Sequence, residues 1–350
     1  MMKINKQFNN KKINSVDICC GLAWGDEAKG KITAHLCKSN NYDFVCRWAG
    51  GNNAGHTIYI NKKKYITNLI PSGIFYGIIS IIGPDCVLNI DSFFNEVEYL
   101  KNAGFDTSLI KISPKTHIIT NQHIMEDINK YSKKLGTTSK GIAPCYRDKY
   151  GRTGLRACDY KPDNNNKSIK EYLWDEQLYG NILCEGAQGF WLDINMGNYP
   201  YITSSNSLPY SACSLGFPPC NINNIYGAAK IYDTRVGIDP DFPEHLVNDS
   251  ELNKIGEIGE EYGTTTGRRR KVNWLNMDKL IKAINISGTN ILVLSKVDVI
   301  KKAGIFKYYY NNKLEQYNTY DNFIKDIKYI IYSSCDLCSI IHISDNPHNI

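Results

Sequence analysis

The sequence predicts an α/β fold, with a mostly parallel central sheet, helices on both of its faces, and extra hairpins and loops. Short apolar segments alternate with helical segments along the chain, which is typical of a parallel sheet. Nearly every glycine-rich or charged loop directly follows a predicted strand. Because such sheets bind ligands at the carboxyl ends of their strands, these loops are the candidates for a functional site.

Apolar segments that end in glycine, a charged turn or a helical segment are predicted to be the strands. They are SVDICCG (15–21), DFVCRWA (43–49), VLNI (87–90), LIKIS (109–113), NILCEGAQG (181–189), IYGAAKIY (225–232), NILVLSKVD (290–298) and CSIIHIS (338–344). A separate hairpin is expected around Asn61–Lys63, where polar residues interrupt two β-branched runs.

Four segments predict helices: ITAHLCKS (32–39), FFNEVEYLKNAG (93–104), NQHIMEDINKYSKKLG (121–136) and YDNFIKDIKYIIYS (320–333). Asp91 or Ser92 can cap the second helix, and Gly104 ends it. Residues 1–15 are polar and are expected to form a flexible tail. Since no repeat or linker divides the rest, residues 16–350 are predicted to form one domain.

Composition argues against several classes of protein. The chain has 41 Lys and Arg against 35 Asp and Glu, a net charge of +6, and its basic residues are mostly scattered. Small polyanions are therefore expected partners, whereas nucleic acid is not. No apolar run is long enough to span a membrane, and the N-terminus does not resemble a signal peptide. The 12 irregularly spaced cysteines are expected to be free thiols in the cytoplasm.

The segment GDEAKGK (25–31) has the glycine and lysine spacing of a phosphate-binding loop. Ile32 stands where Ser or Thr is usual, and the acids Asp26 and Glu27 lie inside the loop. An acid fits there if a divalent cation lies between it and the phosphates, or if it acts as a base on a second substrate. A helix-capping turn with incidental charges is the alternative.

Four further loops carry polar groups suited to anions. In RWAGGNNAGHTI (47–58), His56 lies in a polar, glycine-rich setting, which favours an acid–base or phosphate-binding role. LGTTSKGIAPCYRDKYGRTGLR (135–156) offers hydroxyls and arginines, although a solvated loop is the commoner case. Gln188 in EGAQG can project into a cleft. GTTTGRRRK (263–271) can surround a carboxylate or phosphate, but its adjacent arginines cannot share one direction.

The sixth loop, SKVD (295–298), follows an apolar strand. Asp298 can accept hydrogen bonds from N1–H and the 2-amino group of guanine, and the stem of Lys296 can cover the base. Ser295 stands where Asn or Thr usually precedes that lysine. Together the six loops favour GTP-driven chemistry on a second anionic substrate.

The loops resemble those of the adenylosuccinate synthetase family. The matching segments follow the family order from about residue 17 to 300: WGDEAKGKI, GGNNAGHT, NLIPSG, GTTSKGIAPCYRDK, GLRACD, EGAQG, YPYITSSN, TRVG, EYGTTTGRRR, NWL and SKVDV. The resemblance implies a P-loop-NTPase-like sheet. It also implies a magnesium- and GTP-dependent ligation of IMP and L-aspartate, through 6-phosphoryl-IMP, as the first committed step from IMP to AMP. A cytoplasmic homodimer is implied as well.

The resemblance also assigns roles to residues. Asp26 matches the general base, His56 the proton donor to the GDP leaving group, and Lys29 and Gln188 complete the catalytic set. Implied IMP contacts are Asp26, Glu27, Ala28, Lys29, Asn53, Ala54, Gly55, His56, Thr138, Arg152, Gln188, Thr203 and Arg268. Implied aspartate contacts are Thr264, Thr265, Thr266, Gly267, Arg268 and Arg270. Implied GTP contacts are Gly25, Asp26, Glu27, Lys29, Gly30, Lys31, Gly55, His56, Thr57, Arg270, Lys296, Val297, Asp298, Ser344, Asp345 and Asn346.

Asp26 and the carbonyl of Gly55 match the magnesium ligands, and Arg152 matches the arginine that reaches the partner subunit's IMP site. The chain departs from the family at Ala28, which replaces a glycine, and at Asn346, which replaces the glycine of a Ser-x-Gly-Pro loop. A methyl group at position 28 disfavours positive φ. The chain is also shorter near 160–175 and 300–340, where we expect peripheral segments to be lost.

Two other readings compete with this one. A sister enzyme of the same fold uses dGMP to make 2-aminoadenine nucleotides, but its members tend to lack the catalytic Asp that Asp26 matches. A GTP-binding switch without ligase activity would explain the phosphate loop and the SKVD loop. It would not explain EGAQG, YPYITSSN and GTTTGRRR, which imply a second substrate.

Overall fold

The structure is a computed structural model that describes residues 12–162, 167–263 and 267–346. Its strands are β1 (Ile13–Gly21), β2 (Phe44–Gly50), β3 (His56–Ile60), β4 (Lys63–Thr67), β5 (Ile79–Asn89), β6 (Ile110–Ile112), β7 (His117–Ile119), β8 (Gly180–Glu185), β9 (Ile222–Lys230), β10 (Tyr232–Arg235), β11 (Lys271–Asn276), β12 (Ile291–Ser295), β13 (Phe306–Tyr310), β14 (Lys313–Tyr317) and β15 (Ile340–Ile343).

The helices are α1 (Lys29–Ser39), α2 (Ile90–Asn102), α3 (Asn121–Glu126), α4 (Lys133–Leu135), α5 (Ile142–Gly151), α6 (Ser250–Ile258), α7 (Met277–Ser287), α8 (Val297–Ala303) and α9 (Tyr320–Ser334). A π-helical segment, Asp127–Ser132, joins α3 to α4. Short 3₁₀ turns occur in several of the connections. None of the described helices combines the length and apolarity that crossing a bilayer requires.

Nine strands form the central sheet, in the order β15-β12-β9-β1-β8-β2-β5-β6, with β7 also beside β5. Every strand pair in this sheet is parallel. The fold class predicted from the sequence is therefore confirmed. Two smaller sheets accompany the central sheet. One consists of β10-β11-β13-β14, and the other is the hairpin β3-β4.

Side chains of the central strands enter cores on both faces of the sheet. Ile18 of β1 joins the largest core, which also contains residues of α7, α8 and α9. Its neighbour Cys19 points to the other face, where it packs with Ile32 and Leu36 of α1. Because both faces are covered, the strands are almost continuously apolar, and each fully buried Leu or Ile contributes about 1.5–3 kcal/mol.

Several predicted boundaries need correction. The first strand begins at Ile13, which pairs with Gly180 and is buried, so residues 13–15 belong to the sheet and not to the predicted tail. Residues 1–11 of that tail lie outside the described residues. Helix α2 is capped by Asn89, whose side chain accepts from the N–H of Ser92 at 2.9 Å. Asp91 and Ser92 lie inside its first turn, so neither is the cap.

Other differences concern elements that the sequence patterns joined or left out. The predicted strand IYGAAKIY is divided between β9 and β10, which lie in different sheets. The predicted loop 135–156 contains helix α5. The hairpin β3-β4 is confirmed, and its turn residues Asn61 and Lys62 have φ of 49° and 67°. These values fit the tight turn that matches the twist of two antiparallel strands.

All twelve cysteines are free thiols, as predicted. Cys158 and Cys220 are exposed, Cys213 is half-buried, and the others are buried. Cys335 and Cys338 both pack in the largest core, in line with a structural rather than a redox role.

Candidate active site

The loop between β1 and α1 has a strained backbone. Gly25, Asp26 and Ala28 have φ of 91°, 61° and 67°. Ala28 is the residue before α1 and adopts the left-handed conformation despite its methyl group. That conformation costs a residue with a Cβ about 1–2 kcal/mol, which the surrounding contacts offset.

Glu27 holds this loop together from inside. Its carboxylate is fully buried and accepts from the N–H groups of Ala23 at 3.2 Å and Gly25 at 2.8 Å. It also pairs with the buried ammonium of Lys29 at 2.5 Å. A Cβ at Gly21 would lie 2.6 Å from the same carboxylate, so only glycine fits there. The side chain of Glu27 therefore organises the loop.

Lys31 connects the loop to the C-terminal part of the chain. Its ammonium donates to the hydroxyl of Ser344 and, at 2.8 Å, to the carbonyl of Asn346. Burial lowers the pKa of Lys31 to about 8, although the nearby charge of Asp298 opposes this shift. The structure thus brings predicted GTP contacts from both ends of the chain to one place, and a glycine at position 346 is not needed for that.

The segment SKVD, at the end of β12, lies close to Lys31. Lys296 has a φ of 64° and precedes α8, whose first turn contains Val297 and Asp298. The ammonium of Lys296 donates to the carbonyl of Gly259 at 2.7 Å and lies 4.0 Å from the carboxylate of Glu261. Asp298 is half-buried at the mouth of the site.

His56 begins β3 and is paired with an acid that the sequence patterns did not reveal. Its Nδ1 contacts the carboxylate of Glu185 at the carboxyl end of β8, and both side chains are buried. Glu185 also accepts from the N–H of Ser72 at 2.7 Å and from its hydroxyl at 2.9 Å. Burial lowers the pKa of His56, while the charge of Glu185 opposes this shift. A Cβ at Gly30 would lie 3.0 Å from the Cβ of His56, so the phosphate loop packs directly on the histidine.

Gln188 carries a polar atom that a ligand could satisfy. Its side-chain oxygen is buried without a hydrogen-bond partner among the described residues, and its φ is 57°. Gly50, with a φ of 86°, lies against this carboxamide, where a Cβ would be 3.1 Å from the oxygen. Buried polar atoms without partners are uncommon, which makes this oxygen a candidate acceptor for a ligand. Asn53 lies on the neighbouring loop and accepts from the N–H of Gly51 at 3.1 Å.

Arg268 reaches the loop 135–141. The guanidinium of Arg268 donates to the carbonyl of Gly136 at 3.4 Å, next to Thr137 and Thr138. Thr137 is held by Asp127, which accepts from its hydroxyl at 2.7 Å and from the N–H of Gly141 at 2.8 Å. Thr203 donates through its N–H to the carbonyl of Leu192 at 2.8 Å.

The three adjacent arginines point in different directions, as their spacing predicts. Arg268 reaches Gly136, and Arg269 donates to Asn253 at 3.0 Å. Arg270 contacts Asp26 at 2.9 Å, although the two residues are 244 positions apart in the chain. The predicted aspartate contacts Thr264, Thr265 and Thr266 lie outside the described residues, whereas Gly267 donates to the carbonyl of Gly263 at 2.7 Å.

Arg270 also contacts Glu261, at 2.6 Å, and Glu261 was not singled out from the sequence. Although burial alone would raise the pKa of Glu261, the charges of Lys230 and Arg270 lower it to about 2. The sequence signal for both missed acids was a glycine close by at a predicted strand end or loop start: Gly186 directly follows Glu185 in CEGAQG, and Gly263 lies two residues after Glu261 in EEYG.

The remaining predicted residues occupy different settings. Arg152 is exposed after α5 with a φ of 63°, and the structure shows no contact of it with the other described site residues. The carbonyl of Ala54 accepts from Asn68 at 2.5 Å. The carbonyl of Thr57 faces Gly30, where a Cβ would be 3.3 Å away. Asp345 lies 3.6 Å from the ammonium of Lys301.

Among the described residues, no group of three or more His, Cys, Asp or Glu side chains could hold a metal ion. The implied pair, the carboxylate of Asp26 and the carbonyl of Gly55, supplies two hard oxygen donors. Magnesium typically takes only one or two protein oxygens and completes its octahedron with water and substrate phosphates. Since the side chain of Asp26 is 31 % exposed, it is open to such an ion, and the residues present fit magnesium.

Comparison with known proteins gives a consistent result. The family model described as adenylosuccinate synthetase matches residues 18–177 and 163–331. The adenylosuccinate synthetase of Lysinibacillus sphaericus is 37 % identical over 334 residues, covering 81 % of this chain and 77 % of the relative.

Two solved structures have the same fold. The fully ligated adenylosuccinate synthetase of Plasmodium falciparum has a TM-score of 0.75 and 30 % identity, covering 88 % of this chain and 84 % of that one. The succinoaminodeoxyadenylate synthetase of cyanophage S-2L, bound to dGMP and to dATP as an energy donor, has a TM-score of 0.71. It covers 96 % of this chain and 94 % of that one, and at 17 % identity its likeness concerns the fold alone.

Proposed function

The chain belongs to the adenylosuccinate synthetase family, and from this premise we propose how its residues carry out the reaction. It is a GTP-dependent ligase that joins IMP and L-aspartate in AMP biosynthesis. The observation that carries the residue roles is the convergence of Asp26, His56, Gln188 and Arg270 at the carboxyl ends of the central strands and the turns beside them. That edge is where such sheets bind ligands.

Asp26 takes the N1 proton of IMP, and the 6-oxygen then attacks the γ-phosphorus of GTP. The bond between this phosphorus and the β–γ bridging oxygen breaks, which gives 6-phosphoryl-IMP and GDP. The amine of aspartate next attacks C6 and displaces phosphate. Asp26 suits the first step because its carboxylate is open to a ligand and is held by the guanidinium of Arg270.

His56 donates a hydrogen bond or proton to the GDP leaving group. The contact with Glu185 fixes Nδ1, so Nε2 is the atom directed at the ligand. Gly30 brings the phosphate loop against the histidine, which supports a place near the β-phosphate. The carboxamide of Gln188, whose buried oxygen has no partner among the described residues, binds the IMP base.

GTP binds along the phosphate loop, with its base toward Asp298 and Lys296. Lys31 and the segment 344–346 line the same path, which supports one continuous site from base to phosphates. Asp26 and the carbonyl of Gly55 would hold magnesium, which neutralises the phosphates and polarises the transferred group.

IMP binds between Asn53, Thr138, Gln188, Thr203 and Arg268, and aspartate binds at 264–268 and Arg270. Arg152 is exposed after α5, as a residue that serves the partner subunit of a homodimer must be. The twelve free thiols support a reducing, cytoplasmic location.

A substrate matrix tests the proposal. Purified protein is supplied with IMP, dGMP or no nucleotide, together with aspartate, magnesium and either GTP or ATP, and both phosphate and succinylated product are measured. Product from IMP, aspartate and GTP only is the expected result. Product from dGMP would move the chain to the sister activity, and phosphate release without product would leave a GTPase.

A further inference from the structure

Glu261 is a buried carboxylate that pairs with Lys230 and Arg270 and lies 4.0 Å from the ammonium of Lys296. It lies shortly after the end of α6, and its side chain is 1 % exposed. Lys230 donates to both of its oxygens, at 3.0 and 2.9 Å, and the hydroxyl of Tyr232 donates at 2.7 Å. The guanidinium of Arg270 donates at 2.6 Å. Lys230 and Tyr232 come from β9 and β10, so the acid is fixed to the sheet and its edge.

Arg270 is held by Glu261 twice. Its backbone N–H donates to the carbonyl of Glu261 at 2.9 Å, and its Nη1 donates to the Glu261 side chain. The Nε of the same guanidinium donates to Asp26 at 2.9 Å. Because the guanidinium is planar and rigid, fixing Nη1 also fixes the direction of Nε.

The neighbouring arginines make different contacts. Arg269 contacts Asn253 on the surface of α6, and Arg268 contacts a backbone carbonyl. Of the three, Arg270 is the one whose direction is set by a buried acid.

A buried group of this kind adds little to stability by itself. Taking charges out of water costs several kcal/mol per ion, and the attraction between them only roughly offsets this cost. Buried ion pairs are best explained when they hold the surrounding side chains in one defined geometry. The geometry here connects two residues of the proposed reaction, the base Asp26 and the aspartate contact Arg270.

We propose that Glu261 is a positioning residue of the ligase reaction, which holds Arg270 in the direction that meets both Asp26 and the incoming aspartate. The inference rests on the proposed function, and it adds a residue that touches no substrate. A carboxylate bound by Arg270 would then lie next to the base, and Glu261 would determine how accurately the two are aligned.

The test compares Glu261→Gln with the double variant Glu261→Gln/Lys230→Met. The single variant leaves Lys230 buried without its acid, so its melting temperature falls. The double variant removes that ammonium and should recover much of the melting temperature. In both variants kcat/KM for aspartate should fall by roughly 10- to 100-fold, the effect of a misplacement of about 1 Å. KM for IMP should stay within about threefold of the wild type, because Gln188 and Asn53 do not contact Glu261.

Glu251→Gln is the matched control, because Glu251 makes a half-exposed pair with Lys307 at 2.5 Å in the first turn of α6, the helix that precedes Glu261. Its kinetics should equal those of the wild type. If the double variant regains wild-type kinetics along with its melting temperature, Glu261 is only structural and the inference is overturned.

Wild-type kinetics in the single variant would overturn it too. If the single variant does not fold, Glu261→Asp provides the test. It keeps the charge but shortens the reach, so a folded protein with unchanged kcat/KM for aspartate would also overturn the inference. Absence of product from the wild-type protein itself would instead contradict the proposed function, which keeps the two failures apart.

Discussion

The site contains two pairs of a basic and an acidic side chain that are built very differently. His56 and Glu185 are 5 % and 0 % exposed and lie inside the fold, where Ser72 also contacts the acid. Arg270 and Asp26 are 9 % and 31 % exposed and join the start of β11 to the phosphate loop. The enclosed pair is oriented by its position at the end of β8 and by Ser72. Arg270 and Asp26, the open pair, can each exchange the other for a ligand. His56 therefore suits a proton donor that stays fixed, and Asp26 suits a base that must release its partner.

Removing the acid of the open pair should have the largest effect. Asp26→Ala is expected to lower kcat by about 10²–10⁴-fold or more, the usual contribution of a general base. The fold should survive, because the side chain is partly exposed and Glu27 holds the loop. Steady-state rates with IMP, together with a thermal melt, check this. Retained turnover would show that the base lies elsewhere.

Altering the acid of the enclosed pair should have the next largest effect. Glu185→Gln keeps the shape but presents a donor or a neutral acceptor to Nδ1 of His56, so the ring is no longer held in one orientation. We expect kcat to fall by roughly 100-fold, with KM for aspartate nearly unchanged. Ser72→Ala is a milder companion that removes one hydroxyl contact. If KM for aspartate rose by the same factor by which kcat falls, the two pairs would not be independent.

Asp298→Asn tests a contact outside both pairs. Losing a charge-assisted hydrogen bond of about 1.5–3 kcal/mol should raise KM for GTP by roughly 10- to 150-fold. The kcat at saturating GTP should stay close to that of the wild type. Unchanged GTP kinetics would place the guanine contact on another residue.

A pH series gives a smaller effect that concerns Lys31. Burial lowers its pKa to about 8 from 10.5, so its charge is lost as the pH rises through about 8, and KM for GTP should rise there. The unfolded chain holds more protons than the folded one between about pH 8 and 10.5, so this group's contribution to stability increases with pH in that window. Lys31→Arg remains charged and should flatten the KM profile. The same profile in both proteins would contradict the assignment.

Ala28→Gly should give the smallest change. The left-handed backbone at position 28 costs alanine about 1–2 kcal/mol, part of which glycine loses again through the freedom of the unfolded chain. We expect the free energy of unfolding to rise by about 0.5–1 kcal/mol in urea denaturation. A decrease would mean that the methyl group makes a contact that outweighs the strain.

The parallel sheet could be predicted because strands covered on both faces leave long apolar runs. The sequence also contains signals for helix α7 and for the hairpin β13-β14. They are the helix cap Asn276 and the turn Asn311–Asn312, whose residues have φ of 50° and 59°. Helix α5 is harder to predict from the sequence, because Gly141 precedes it and Pro144 lies in its first turn.

The polar loops of the site could be located from the sequence, but the acids behind them could not. Glu185 meets His56 across 129 positions, and Glu261 meets Lys230 across 31. A buried carboxylate is recognised by what surrounds it in space, and sequence spacing alone does not reveal those neighbours.

The position of β1 in the sheet also has a consequence for folding during translation. This strand leads into the phosphate loop, yet its two neighbours are β8 and β9, which end at Glu185 and Lys230. At about 5–20 residues per second, the neighbours emerge roughly 10–40 s after β1 itself. During that interval the nascent chain carries an apolar segment with no strand to pair with. The nucleotide site can therefore form only late in translation, and the first strand must be kept from aggregation until then.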